Sequence, residues 1–131
     1  MDMLVDSDVL IWVARGNVSA ISRLQTLPNW RISAVSYMEL AQGCRDKAEL
    51  KVMQKAFLFE AGDVLAITQT ISDLACTLVE KYALSHSVHL ADALIAATAM
   101  INAMPLLTGN GKHFSAIKGL KVDVFKPSVL S

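Results

Sequence analysis

Apolar residues along the chain fall into short continuous runs and longer stretches at helical spacing. The short runs predict buried strands at residues 3–5, 31–34, 64–67, 105–108 and 122–125. The longer stretches predict helices at 7–14, 19–27, 36–44, 46–59, 68–84 and 88–103, and residues 109–115 are predicted to form a loop. Because the stretch 88–103 is apolar on nearly every side, we expect its helix to be buried within the domain or at an interface.

Strands that alternate with helices predict an α/β fold, a three-layer α/β/α arrangement around a central parallel sheet of four to five strands. The 131 residues fit a single domain spanning 1–131. In such sheets, ligands bind at the carboxyl ends of the strands, near the point where strand order reverses. Asp6 follows the first predicted strand and Asn110 follows the fourth, so we expect both at the same edge of the sheet.

Composition excludes a disordered chain, because 53% of the residues are hydrophobic and 18% are charged. So many apolar residues indicate either a well-filled core or an association surface, for a homodimer or a partner helix. The 12 basic and 12 acidic residues give a formal net charge of zero. Any binding of nucleic acid must therefore be local, because no global positive field attracts phosphate.

Cys44 and Cys76 form neither a metal-binding spacing nor a disulfide framework. Both are predicted to be small core residues in a reducing compartment. The chain has no apolar run long enough to span a membrane, and we expect no signal peptide. These features predict a cytoplasmic protein.

Three acidic residues stand among apolar neighbours: Asp6 in MLVD, Glu39 in VSYMEL and Asp92 in LADALI. A carboxylate in such a setting is costly to desolvate unless it is paired, hydrogen-bonded or bound to a cation. Carboxylate oxygens suit Mg²⁺ or Mn²⁺, and such a metal site suits phosphate-ester chemistry. We therefore hypothesise that the three acids share one pocket.

Each acid also has a simpler explanation when it is taken alone. Asp6 is a favoured N-cap residue, and Ser36 with Glu39 fits the S-x-x-E capping box. Asp92 lies in the first turn of its predicted helix, where the helix dipole stabilises a negative charge. Capping does not require the three acids to meet at one sheet edge, whereas metal binding does. Asp8 is ambiguous, and it could reach the same pocket through water.

The histidines do not predict a zinc site, because His86 and His89 lack an obvious third ligand. His113 and Lys112 lie in the predicted loop beside the proposed edge. They could contact phosphate, or they could be ordinary surface residues.

The segment Asp6-Ser7-Asp8-Val9 raises a second enzyme hypothesis, since it resembles the nucleophile motif of haloacid-dehalogenase-type phosphatases. That fold also needs a pair of acids late in the chain. Here Asp92 and Asp123 are the only carboxylate side chains after Glu80, and the chain is short for such a domain with its cap.

Four segments together resemble the conserved blocks of PIN-domain ribonucleases, and most closely the VapC-type toxins of bacterial toxin–antitoxin pairs. They are MLVDSDVLI (3–11), SYMEL (36–40), LADALIAATA (90–99) and LTGNGKHF (107–114). The resemblance runs from the first predicted strand towards the last, in order and at the expected chain length. The block around Asp92 is the most specific of the four.

The resemblance implies that Asp6, Glu39 and Asp92 are metal-binding catalytic acids. It implies a Mg²⁺- or Mn²⁺-dependent endoribonuclease that hydrolyses RNA phosphodiester bonds with a metal-activated water. It also implies a homodimer, and a small antitoxin protein that inhibits the enzyme by laying a helix or tail across the site. A non-catalytic PIN-like module that binds RNA or protein is the alternative.

The chain departs from the family pattern at Asn110, where many PIN domains carry a fourth acid. An amide brings no charge, which weakens any second metal site. Thr108 and Asn110 are expected to orient water or phosphate, and Ser7 to bond a carboxylate or the phosphate. Lys112 and Arg15 are weaker candidates for contacts with the RNA backbone.

Overall fold

A computed structural model of the protein describes residues 2–57 and 63–127, and within these the predicted parallel sheet is confirmed. All strand pairings are parallel, and the strands lie in the order β3-β2-β1-β4-β5. The strands are β1 (Met3–Val5), β2 (Trp30–Ser33), β3 (Val64–Leu65), β4 (Leu106–Thr108) and β5 (Val122–Val124).

The helices follow the predicted order with one addition. They are α1 (Ser7–Ala14), α2 (Val18–Gln25), α3 (Ala34–Gln42), α4 (Lys47–Phe57), α5 (Gln69–His86), α6 (Leu90–Ile101) and α7 (Gly111–Phe114). The prediction of a plain loop at 109–115 was wrong, because residues 111–114 form the short helix α7. Residues 58 and 59, the predicted end of the fourth helix, lie outside the described residues.

The sheet is covered on both faces, as the continuous apolar strands predict. Leu4 and Leu106 pack into a core cluster with residues of α5 and α6, whereas Val5 and Leu107 pack into a second cluster with residues of α1 and α3. All four side chains are fully buried. Successive strand residues therefore point to opposite helix layers, which gives the α/β/α arrangement.

Burial of the apolar helix residues is uneven. The middle of α6 is buried, as predicted, whereas Leu90 at its start is 69% exposed. Cys44 is partly buried, but the prediction that Cys76 is a core residue was wrong, because Cys76 lies on the exposed face of α5. None of the helices in the described part of the chain is long and apolar enough to cross a membrane.

The strand order reverses between β1 and β4. From β1 the chain moves to β2 and β3 on one side, and it later returns to β4 and β5 on the other. The Asp6 N–H donates to the Leu107 carbonyl oxygen at 2.9 Å, so the end of β1 is fastened to β4 at this point. Open α/β sheets bind ligands in the crevice between two neighbouring strands whose chain connections lead to opposite sides of the sheet.

Candidate active site

Asp6 lies at this crevice and is the most deeply buried of the predicted acids, with 6% of its surface exposed. Its Oδ1 accepts a hydrogen bond from the Ser7 backbone N–H at 2.7 Å, and it is the N-cap of α1, as predicted. Its Oδ2 accepts a hydrogen bond from the Thr108 hydroxyl at 2.8 Å. The carboxylate is therefore fixed by its own helix and by β4.

Glu39 reaches the same place from α3. The Ser7 hydroxyl donates to Glu39 Oε1 at 3.2 Å and lies 3.5 Å from Asp6 Oδ1, so Ser7 connects the two acids. The capping-box explanation for Glu39 was wrong. The N-cap of α3 is Ser33, whose hydroxyl accepts the Ser36 N–H at 3.0 Å, so Glu39 stands beyond the first turn.

Asp92 enters from the start of α6, and its predicted place in the first turn is confirmed. Its Oδ2 accepts a hydrogen bond from the His89 backbone N–H at 3.1 Å. The same oxygen lies 3.2 Å from His113 Nδ1 on α7, and the Asp92 side chain is 14% exposed. A backbone N–H and an imidazole thus hold this carboxylate in place.

Neighbouring charges affect the ionisation of Asp6 and Glu39. Burial raises the pKa of Asp6, and the charge of Asp92 raises it further, against the hydrogen bonds from Thr108 and Ser7, which lower it. The pKa of Glu39 is also raised, first by desolvation and then by the charges of Asp6 and Asp92. The structure therefore places Asp6 and Glu39, which Ser7 connects, within electrostatic range of Asp92.

Asp8 adds a fourth carboxylate to the same pocket. Burial raises the pKa of Asp8 to about 6, and the charges of Asp6 and Glu39 contribute. Its Oδ2 accepts the Gly109 N–H at 3.0 Å, whereas its Oδ1 is buried without a hydrogen-bond partner among the described residues. A Cβ atom at Gly109 would lie 2.6 Å from the Trp12 ring, so only glycine allows this close approach.

The segment after β4 carries the remaining predicted contacts. The Asn110 N–H donates to the Thr108 hydroxyl oxygen at 3.0 Å, and the Asn110 amide nitrogen lies 3.3 Å from His113 Nδ1. Lys112 is exposed on α7. Arg15 is the C-cap of α1, at the opposite end of an eight-residue helix that begins at the site. The helix is about 12 Å long, so the structure separates Arg15 from the acids.

The donor chemistry of the pocket fits a hard divalent cation, because all four acids offer carboxylate oxygens. Their mutual repulsion and burial would be offset by a bound positive charge. Within residues 2–57 and 63–127, no three His, Cys, Asp or Glu side chains stand close enough together to hold an ion as they are. Binding of an ion by three of these acids would therefore require side-chain movement.

A family model described as PIN domain matches residues 3–120. The chain belongs to the PIN-domain family. It is 37% identical over 124 residues to Ribonuclease VapC10 of Mycobacterium tuberculosis, an alignment that covers 91% of this chain and 90% of that protein. The chain is thus a PIN-domain ribonuclease of the VapC type, a group that generally depends on divalent metal ions. This membership excludes the phosphatase hypothesis.

Solved structures have the same fold. A toxin–antitoxin complex from Klebsiella pneumoniae matches with a TM-score of 0.78 and 27% identity, over 93% of this chain and 96% of that one. The VapBC2 structure from Rickettsia felis, bound to a DNA fragment from its promoter, matches with a TM-score of 0.80 and 20% identity. That match covers 96% of this chain and 100% of the other, so the PIN architecture extends over nearly the whole chain.

Sequence reasoning missed the place of His89. It considered this residue only as a zinc ligand, whereas the structure makes it the N-cap of α6, bonded through its backbone to Asp92. A spacing of three residues between an N-cap and an acid is the signal of a capping box, and it could have placed His89 beside the site.

Proposed function

We propose that this chain is the ribonuclease toxin of a toxin–antitoxin pair, and that Asp6, Glu39 and Asp92 hold the Mg²⁺ or Mn²⁺ ion with which it cuts RNA. The observation that supports the site most strongly is that Ser7 connects Asp6 and Glu39 at the switch point of a PIN fold, where the charge of Asp92 raises the pKa of both acids. Helix capping alone would not require these acids to lie near one another at the switch point.

Each acid has a distinct part in the proposed site. Asp6 and Asp92 are held by hydrogen bonds in fixed positions, so we assign them as direct ligands. Glu39 is exposed, and among the described residues its carboxylate accepts a hydrogen bond from Ser7, so it ligates either directly or through water. When bound, the cation offsets the charge of the scissile phosphate and makes a water molecule more acidic.

The other residues of the pocket orient these groups. Thr108 accepts from the Asn110 N–H while it donates to Asp6, so this hydroxyl fixes both the acid and the segment that carries the amide. The Asn110 side chain is exposed and can orient water or a phosphate oxygen. Because an amide adds no charge, we propose one tightly held ion. Lys112 and His113 stand on the same side and can contact the RNA phosphates.

The reaction that this arrangement supports is in-line hydrolysis. A bond forms between the oxygen of the attacking water and the phosphorus as the bond to the 3′-oxygen breaks, and the 3′-oxygen leaves with a proton. Asp6 and Asp92 help to keep the attacking water and the phosphorus aligned, because hydrogen bonds hold these two carboxylates in place.

The exposed apolar residues support protein partners, namely an antitoxin and a second copy of this chain. Large apolar side chains remain exposed at Val18, Val52, Leu84 and Leu90. An apolar groove of about 520 Å³ also lies between α1, α2 and the end of α4, and its lining includes Ile21 and Leu24. We place the activity in the cytoplasm, where the proposed RNA substrate and antitoxin are made.

The test is cleavage of total bacterial RNA by the purified protein, freed of any bound partner, with Mg²⁺, with Mn²⁺ or with EDTA. We expect discrete fragments that require a metal ion. Asp6→Asn should lower the rate by several orders of magnitude, because it removes a carboxylate charge that binds the metal ion on which cleavage of the phosphodiester depends. Asp73→Asn, an exposed acid on α5, is the matched control and should cleave like the wild type.

Two results would contradict the proposal. Full cleavage by a folded Asp6→Asn protein would contradict the assignment of Asp6 as a metal ligand. No cleavage under any metal, from a folded protein that still binds RNA, would instead support the non-catalytic binding module and make Asn110 the first residue to exchange for Asp.

A further inference from the structure

Two histidine rings form a pair beside the proposed active site. The rings of His89 and His113 have their centroids 6.0 Å apart, with 70° between their planes. Both residues are tied to Asp92: the His89 backbone N–H bonds to its Oδ2 at 3.1 Å, and His113 Nδ1 lies 3.2 Å from the same oxygen. The ring pair therefore lies next to one of the proposed metal ligands.

Packing of the protein does not account for this pair. His89 is exposed, and the side chain of His113 is 35% exposed. The core contact of α7 is made by the neighbouring Phe114, which is 1% exposed. The two rings thus contact each other at the surface and leave part of their area open to solvent.

The position of the His113 ring is set from two sides. Its Nδ1 can donate to Asp92 when it carries a proton, or accept from the Asn110 amide nitrogen at 3.3 Å when it does not. In either case the ring stays between the carboxylate and the segment after β4. A ring that is held in place before ligand binding loses little conformational entropy when a ligand stacks on it.

We propose that His89 and His113 stack an unpaired nucleobase of the RNA next to the phosphate that is cut. This inference rests on the proposed ribonuclease function. Proteins that read single-stranded RNA stack its bases on aromatic rings, and every base offers a flat face for this contact. Because the rings stand at a steep angle, a base that lies on one ring meets the edge of the other. The pair would thereby set which nucleotide of a flexible strand enters the site.

Stacking suits this protein better than electrostatic attraction of the strand. The formal net charge is zero, so contacts that do not depend on charge must contribute to binding. The ring pair is also an incomplete metal site, because the described residues offer no group of three His, Cys, Asp or Glu side chains that could hold an ion.

The test is a double-mutant cycle between His89 and the base that it would stack. Binding is measured by fluorescence anisotropy in the Asp6→Asn background with Mg²⁺ present, so that the RNA stays uncut. The probes are an oligonucleotide around a cut site mapped with the wild type, and a series in which one nucleotide near that site lacks its base. His86→Ala, which removes another exposed histidine at the end of α5, is the matched control.

We expect His89→Ala to weaken binding of the intact oligonucleotide by about tenfold. It should have no effect on the oligonucleotide that lacks the stacked base, and His89→Phe should restore tight binding because a phenyl ring also stacks. His86→Ala should change nothing.

The proposal is overturned if His89→Ala weakens every oligonucleotide equally, or none of them, or if His89→Phe behaves like His89→Ala. These outcomes are distinct from a failure of the proposed function. In that case the wild type itself would cut no RNA, no cut site could be mapped, and the stacking proposal would fall with it.

Discussion

The environment of Asp6 sets the chemistry of the pocket at the scale of single residues. This carboxylate is buried, yet it accepts hydrogen bonds from one backbone N–H and one hydroxyl. The bonds stabilise its charged form, while burial and the charge of Asp92 oppose it. A carboxylate in this balance is poised to gain from a cation, because the cation replaces the solvation that burial removed.

The raised pKa values give the metal-free protein a defined pH dependence. Asp8 has a pKa of about 6 in the folded chain and near 3.8 when its environment is lost, so the folded state binds more protons than the unfolded state between these values. Stability therefore falls as pH rises through about 6. The pKa values of Asp6 and Glu39 shift in the same direction.

We accordingly predict that, in EDTA, the free energy of unfolding is higher at pH 5 than at pH 7.5. The contribution of Asp8 is on the order of 1 kcal/mol or less, because part of its side chain is solvated. Urea unfolding at both pH values measures it, with Asp8→Asn expected to show a smaller difference than the wild type. An equal or larger difference in Asp8→Asn would contradict the placement of Asp8 in the acidic pocket.

At the scale of elements, helix starts decide where the functional side chains point. Asp6, Ser33 and His89 are the N-caps of α1, α3 and α6, and each of these helices begins with or carries one of the three acids. The N-cap of α3 lies three residues before the S-x-x-E motif. Glu39 therefore stands in the second turn of the helix, where it contacts Ser7. The S-x-x-E pattern predicted Ser36 as the cap, whereas the structure uses Ser33, the last residue of β2.

The two serines differ in what their hydroxyl groups bind. Ser33→Ala should lower the free energy of unfolding by about 1 kcal/mol, because it removes the cap of α3. Ser36→Ala should be neutral or stabilising, since the Ser36 hydroxyl is buried without a hydrogen-bond partner among the described residues. Urea unfolding of both variants measures this, and the reverse order of stability would restore Ser36 as the cap.

Much of the fold could be predicted because its signals are local. Apolar runs mark β1 and β4, and helical spacing marks α1 and α5, so the order of the elements followed from the sequence. The short helix α7 was not predicted, because the glycines at 109 and 111 favour a loop, and the approach of Gly109 to Trp12 is a contact between distant segments. The convergence of Asp6, Glu39 and Asp92 was a hypothesis that only the strand order could support.

At the scale of the whole molecule, the formal net charge of zero limits how RNA can be held. Lys112 is the lysine on α7, and it is exposed beside the pocket. Removing one cation that binds a phosphate should reduce the salt dependence of binding by a slope of about 0.7 for a single strand. The slope thus reports how many phosphates a neutral protein binds through local positive charges.

We predict that Lys112→Gln flattens the plot of the logarithm of RNA affinity against that of salt concentration by about 0.7. Arg15→Gln should leave the slope unchanged, because Arg15 lies at the far end of α1. Anisotropy titrations at several salt concentrations measure both, in the Asp6→Asn background. A flatter slope in Arg15→Gln but not in Lys112→Gln would show that the RNA does not run along α7.

The most direct test of the proposed site is calorimetric titration of Mn²⁺ into the metal-free wild type, Asp6→Asn and Asp73→Asn proteins. We predict one tightly bound ion per chain in the wild type and in Asp73→Asn, and at least about tenfold weaker binding in Asp6→Asn, because a ligand and a negative charge are removed. Equal Mn²⁺ affinity in all three folded proteins would contradict the claim that Asp6, Glu39 and Asp92 form the metal centre.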